Sequence, residues 1–167
     1  MGAELGPDGP LRVLTPIGLD SVYSAEDVDV LVQMLADPDM GAYHGTALVL
    51  IGLISSAPND DVTVLQEFMR AELGEQGLVD AAAVALGLLV NRLGSAEALG
   101  VLTVAANSDA EVVVNGAIAG LAIAGSAEAG LALQGLKDRL DDDTLIDIGI
   151  DEHAKMMRLG LEGYYQR

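Results

Sequence analysis

The chain has 167 residues, enough for one domain with a substantial core, and 51% of them are apolar although only 3% are aromatic. Twenty-six acids against eight bases leave a formal net charge of −18, a field that repels phosphate backbones and anionic headgroups and so argues against nucleic-acid and membrane partners. Cysteine is absent, which excludes disulfides and thiolate chemistry.

Residues 1–23 hold three of the five prolines and four glycines and show no sustained periodicity. They read as an arm or loop that leads into the first repeat and is laid over its open end. No basic region precedes an apolar run there, so no secretory signal is read and a cytoplasmic location is expected. Ser24, Ala25, Glu26 and Asp27 supply an N-cap with acids in the first turn, and Val28, Leu31 and Leu35 follow at helical spacing. Pro38 disfavours a helical Asp37, so a second helix is expected over residues 41–55. Asn59, Asp60 and Asp61 cap a third, with Val62, Leu65, Phe68 or Met69, and Leu73 on one face and Thr63, Gln66, Glu67 and Arg70 on the other. Residues 74–77 form a turn.

Further helices are expected over residues 78–93, 96–106, 110–124 and 127–140, with Asn107, Ser108 and Asp109 capping the third of these. Leu133, Leu136 and Leu140 line the inner face of the last. Asp141, Asp142 and Asp143 make an acidic connection to a final helix over residues 151–165, whose apolar stripe is Ala154, Met157, Leu161 and Tyr164 or Tyr165. Its polar remainder suits the wet outer face of a terminal cap.

One pattern is written twice in the middle of the chain. Val84-Ala85-Leu86-Gly87-Leu88-Leu89-Val90 runs to Gly94-Ser95-Ala96-Glu97-Ala98, and Ala117-Ile118-Ala119-Gly120-Leu121-Ala122-Ile123 runs to Gly125-Ser126-Ala127-Glu128-Ala129. A small-residue apolar helix is followed each time by a Gly stop and a Ser start. The Gly-Leu step recurs at Gly52-Leu53 and Gly160-Leu161, which gives four units over residues 24–58, 59–94, 95–125 and 126–167. The first helix of each pair is mostly amphipathic. The second is apolar nearly all round, which requires neighbours on more than one side. The expected fold is all-α, an α-solenoid of about four antiparallel helix pairs stacked with a right-handed sense, with a compact helical bundle as the alternative.

The repeated stretches resemble HEAT repeats, in particular the short HEAT-like repeats of phycobilisome lyases. The matching turns are Leu35-Ala36-Asp37-Pro38-Asp39 and Ala106-Asn107-Ser108-Asp109, and the matching helix positions are Ala85-Leu86-Gly87 and Ala119-Gly120. The family's Val-Arg step is replaced by Val79-Asp80 and Val114-Asn115, so the Asp to Arg ladder between units is missing and neighbours are expected to rely on apolar packing. The resemblance implies a protein-interaction scaffold more often than an enzyme. If the second helices line the concave side as in that family, Tyr43, His44, Asp80 and Asn115 are the candidate contact residues.

Chemistry-bearing constellations are sparse. Asp141, Asp143, Asp147, Asp151, Glu152 and His153 are the densest set of oxygen and nitrogen ligands. A calcium-loop alignment fails at its centre, where Leu145 stands in a ligand position and Ile146 in place of the turn glycine. His44 and His153 lack a second histidine at i+4, so zinc is not expected. Ser95 and Ser126 read as helix caps and not as nucleophiles. No metal and no cofactor is expected. The functional expectation is a non-enzymatic scaffold that binds another protein, one of basic character, or a second copy of itself. The alternatives are an acidic decoy of a basic or nucleic-acid-binding protein, and an accessory subunit of a lyase-type modifying enzyme.

Overall fold

A computed structural model describes residues 24–70, 76–140 and 144–166. Among these residues the chain is all-α, with no strand. The eight α-helices of the described residues are α1 (Val28–Ala36), α2 (His44–Ile54), α3 (Val62–Phe68), α4 (Gln76–Leu93), α5 (Ala96–Ala105), α6 (Glu111–Ala124), α7 (Ala127–Arg139) and α8 (Thr144–Tyr165). Short 3-10 turns at Ala25–Asp27 and Pro38–Tyr43 lead into α1 and α2. The proposed arm, Leu73, residues 74 and 75 of the expected turn and the acidic run at residues 141–143 lie outside the described residues, while Gln76 and Gly77, expected in that turn, open α4.

Local chemistry accounts for most of the boundaries. The Asp27 carboxylate accepts from the Ser24 backbone N–H at 2.6 Å and from the Ser24 hydroxyl at 3.3 Å, which fixes the entry to α1. Asp37 accepts from the Asp39 N–H at 2.9 Å ahead of Pro38, and the chain reverses there. The twin serines behave as caps: Ser95 accepts from the Ala98 N–H at 3.0 Å and Ser126 from the Ala129 N–H at 3.1 Å. The preceding glycines, Gly94 and Gly125, have φ of 65° and 55°, a left-handed conformation that a β-carbon disfavours.

Three expectations are corrected. The residue capping α6 is Ala110, and its own N–H is taken by the Ser108 hydroxyl at 3.1 Å, so the cap sits after the polar triplet instead of within it. Leu140 lies past the end of α7 and is 37% exposed, whereas Leu133 and Leu136 are buried. The last helix begins at Thr144 and not at Asp151. Asp147 and Asp151 sit on its solvent side while Ile146, Gly149 and Met156 face inward, so the acids do not interrupt the helix. That rotates the expected stripe: Ala154 is exposed and Met157 is 53% exposed.

The packing order follows the repeat. Helix α2 packs on α4, α4 on α6, and α6 on α8, while α1 covers α2, α3 and α5 cover α4, and α7 covers α6 and α8. A β-carbon on Gly45 would face Leu78 and Ala81, and one on Gly52 would face Ala85; Gly116 likewise faces Val79 and Gly120 faces Ala83. Both members of each pair advance in the same direction, so α2, α4 and α6 run parallel. With neighbours on either side and a first-of-pair helix across them, residues 47–54 and 82–90 are buried without exception, which is why their sequences carry no polar face.

The glycines of the repeat set how near these helices come. A methyl group on Gly52 would lie 2.6 Å from the Ala85 Cα, and one on Gly120 would lie 2.5 Å from the Ala83 carbonyl oxygen, both inside van der Waals contact. Small residues therefore let the backbones themselves touch. Gly160 does not provide a fourth such contact. It has φ 67° and ψ 172° and breaks α8, while Gly149 takes the packing position, with its would-be β-carbon 2.5 Å from Ile118 Cγ2.

Apolar contact is not the sole link between units, which corrects the expectation drawn from the missing Asp to Arg ladder. Arg92 on α4 donates to the Gly52 carbonyl at 2.8 Å and the Ser55 carbonyl at 3.3 Å at the end of α2. Its neighbour Asn91 donates to the Ile123 and Ala124 carbonyls at 3.1 and 3.3 Å at the end of α6. Arg139 at the end of α7 donates to the Ala106 carbonyl at 2.7 Å, and the Ser95 hydroxyl donates to Asn59 at 3.0 Å. Each of these side chains satisfies polar groups at a neighbouring unit's helix terminus, and the two arginines also oppose the negative end of a helix dipole.

Candidate functional site

The four candidate contact residues fall into two places. Tyr43 ends the 3-10 turn before α2 and is 57% exposed. His44, the first residue of α2, is half-buried, and its Nε2 stands 3.0 Å from both the Met34 and the Asp37 carbonyl oxygens. Carbonyl oxygens only accept, so Nε2 carries the hydrogen and is shared between them. The ring meets Phe68 edge-on, with centroids 6.3 Å apart at 77°. His44 is thereby committed to closing α1 onto α2, and its neighbour Tyr43 is the member of the pair left open to a partner.

Asp80 on α4 and Asn115 on α6 occupy facing turns of adjacent helices. Asp80 Oδ1 lies 3.5 Å from where a β-carbon on Gly116 would be, and Gly116 is the next residue after Asn115. Both side chains are half-buried. Burial pushes the Asp80 carboxyl above its ordinary value of 3.8, because the site solvates the charged form less well than water does. The opening turn of α2 adjoins this place, since Gly45 faces Ala81.

Tyr43 also borders a cleft between α1 and α2. Asp27, Val30, Leu31 and Met34 line one side and Tyr43, Thr46 and Leu50 the other; the cavity is about 200 Å³. Val30 is 55% exposed. The helical register explains it: Val28, Leu31 and Leu35 fill the core-facing stripe of α1, and Val30 and Met34, four residues apart, form a second apolar stripe beside it. That second stripe was legible in the sequence as an apolar surplus on an otherwise amphipathic helix, and reading α1 as one-faced passed over it.

The acids near the last helix do not converge. Asp147 pairs with Lys137, and Glu152 with Lys155 and the Tyr164 hydroxyl. Partial burial pushes the Glu152 carboxyl up, but the hydrogen bonds from Lys155 and Tyr164 outweigh it and leave its pKa lowered, while burial and the Glu152 contact push the Tyr164 phenol up. His153 Nε2 donates to the Ser126 carbonyl at 2.8 Å and its ring packs over Gly130, so it joins α8 to the start of α7. Among the described residues, no three His, Cys, Asp or Glu side chains are grouped to hold a metal ion, and no helix is long and apolar enough to cross a membrane. No protein-family model matches the chain, and no curated protein or solved structure matches it significantly.

Proposed function

We propose that the chain is a HEAT-like α-solenoid of four helix pairs that acts as a non-enzymatic scaffold for protein–protein interaction. The observation that carries this reading is the serial packing of α2, α4, α6 and α8, each against the next, together with an apolar cleft between α1 and α2. Serial stacking buries the second helices while keeping an extended surface available, the division of labour on which repeat proteins rely for binding. The partner is basic: no Lys or Arg occurs between Arg12 and Arg70, an interval that holds nine acids, so the first half of the molecule presents a field of one sign.

The test is affinity capture with the tagged full chain from its native host, followed by titration calorimetry with the purified captured protein. A saturable complex whose affinity falls with added salt is expected. A chain that captures nothing above a tag-only control, and that sediments as a monomer, would remove the scaffold reading.

A further inference from the structure

We infer that the cleft between α1 and α2 docks a short basic segment of a partner protein, anchored by apolar side chains and flanked by Lys or Arg. The inference rests on the scaffold reading and names the partner's chemistry. Three features of the cleft point the same way. Its walls are mostly apolar, with Thr46 and Asp27 the polar residues of the lining and Val30 55% and Tyr43 57% exposed, so a partner side chain would cover apolar surface. Its volume, about 200 Å³, is below the roughly 300–1,000 Å³ of small-molecule sites. It suits one or two aliphatic side chains of a segment laid across it.

The rim supplies the selectivity. Asp27 is part of the lining, Glu26 and Asp29 are exposed at the start of α1, and Asp37 and Asp39 are exposed at the turn that leads to Tyr43. No Lys or Arg is present from residue 24 to residue 69 to offset them. An apolar slot with one carboxylate in its lining and four more exposed on the adjoining turns discriminates by charge: a basic amphipathic segment gains on both counts, whereas an acidic one of the same shape is repelled. Recognition of this kind is the helix-in-groove mode, with anchors at i and i+4.

The experiment uses the full chain, whose 17.2 kDa suits methyl and amide NMR. The probe is an amphipathic peptide with Leu at helical i, i+3 and i+4 positions and Lys elsewhere. Two twins accompany it, one with every Lys replaced by Glu and one with every Leu replaced by Ser. Saturable binding of the Leu/Lys peptide is expected, with shifts centred on Val30, Met34, Tyr43 and Leu50, and neither twin should reproduce it. Val30→Lys and Tyr43→Lys, both at exposed positions, should weaken it about tenfold or more. Equal binding by either twin, shifts centred on another face, unchanged affinity in both variants, or no binding up to roughly millimolar peptide would each overturn the inference. A dimer that sediments at high concentration and is dissolved by Val30→Lys would assign the cleft to a second copy and overturn it too. A partner captured from the host that still binds the Val30→Lys chain would overturn the cleft assignment while leaving the scaffold reading intact.

Discussion

Gly87 on α4 and Gly120 on α6 touch backbone to backbone: a β-carbon on Gly87 would overlap the Gly120 carbonyl oxygen. The contact lies at the centre of the stack, and its partner atoms belong to the peptide chain, which cannot rotate aside as a side chain can. Gly87→Ala should therefore push the two helices apart and cost roughly 1 to 3 kcal/mol, despite the better helix propensity of alanine. Gly100 on α5 and Gly135 on α7 are also helical, but nothing lies within 4 Å of a β-carbon there. At those positions alanine should stabilise the fold by about 0.5 to 1 kcal/mol. Urea melts of the three variants decide the matter, and a Gly87→Ala chain at least as stable as the parent would mean that α4 and α6 are not in contact at this point.

Arg92 and Asn91 are consecutive residues that reach opposite ways, to the end of α2 and to the end of α6. Arg92→Met keeps most of the stem and removes the guanidinium donors, leaving the terminal carbonyls of α2 without that partner. A loss of about 1 to 2 kcal/mol is expected, concentrated at the α2 terminus. Hydrogen exchange should show faster exchange of the Ser55 amide, which bonds to Ile51 at 3.0 Å, with α6 unaffected. Asn91→Ala should produce the reverse pattern. Identical exchange profiles for the two variants would show that the links do not act locally.

How much of this was visible in the sequence depends on which interaction sets each feature. The helices, the glycine stops and the serine caps follow from local chemistry, and the repeated Gly-Ser-Ala-Glu-Ala segment marked them correctly. The burial of residues 47–54 and 82–90 followed from their lack of polar residues. What the chain did not disclose was tertiary. Arg92 and Asn91 look like ordinary C-terminal polar residues until the ends of α2 and α6 are brought beside them. Gly149 and Gly160 are indistinguishable by composition, and the neighbour at Ile118 decides that the first packs and the second breaks the helix. The acidic run before α8 drew attention from the apolar face of Ile146, Gly149 and Met156, because a helix whose solvent side begins with carboxylates reads as a loop when charge is weighed before periodicity. At the candidate site, the placing of Asp80 opposite the α6 turn that carries Asn115 depended on the register of α4 against α6, whereas the commitment of His44 to two carbonyls depended on the turn at Pro38.

Leu121 and Leu131 separate buried from exposed leucine on two successive helices. Leu121 on α6 is fully buried and Leu131 on α7 is 74% exposed. Leu121→Asp would strand a carboxylate among apolar neighbours, at a cost of several kcal/mol, and should abolish cooperative melting. Leu131→Asp should change stability by no more than about 0.5 kcal/mol. Circular dichroism on both variants tests the orientation of α6 and α7 together, and a helical, cooperatively melting Leu121→Asp chain would refute the placement.

Asp80 gives a prediction with a definite sign in pH. Its carboxyl is raised above 3.8 by burial, so the native state disfavours the charged form relative to the unfolded chain. The penalty is present in full at neutral pH and is relieved as pH falls through the raised folded pKa toward 3.8, because the native state then binds the proton first. Asp80→Asn removes the charge and nearly preserves the shape. It should raise the melting temperature at pH 7, and the advantage should shrink as pH falls through the raised folded value and the parent carboxyl protonates. Glu152 runs the other way. Its lowered pKa means that Glu152→Gln should be less stable than the parent at pH 7, with the difference lost as pH falls through the depressed value. Melting temperatures of the parent and both variants, taken from pH 7 to pH 3 at constant ionic strength, should therefore converge from opposite sides. A gain from Asp80→Asn that does not vary with pH would show that the benefit comes from packing or helix propensity and not from an ill-solvated charge. A carboxylate kept at a stability cost on facing turns of α4 and α6 is what a contact surface would retain, so the same variant, if it melts higher and binds its partner less tightly, ties Asp80 to recognition.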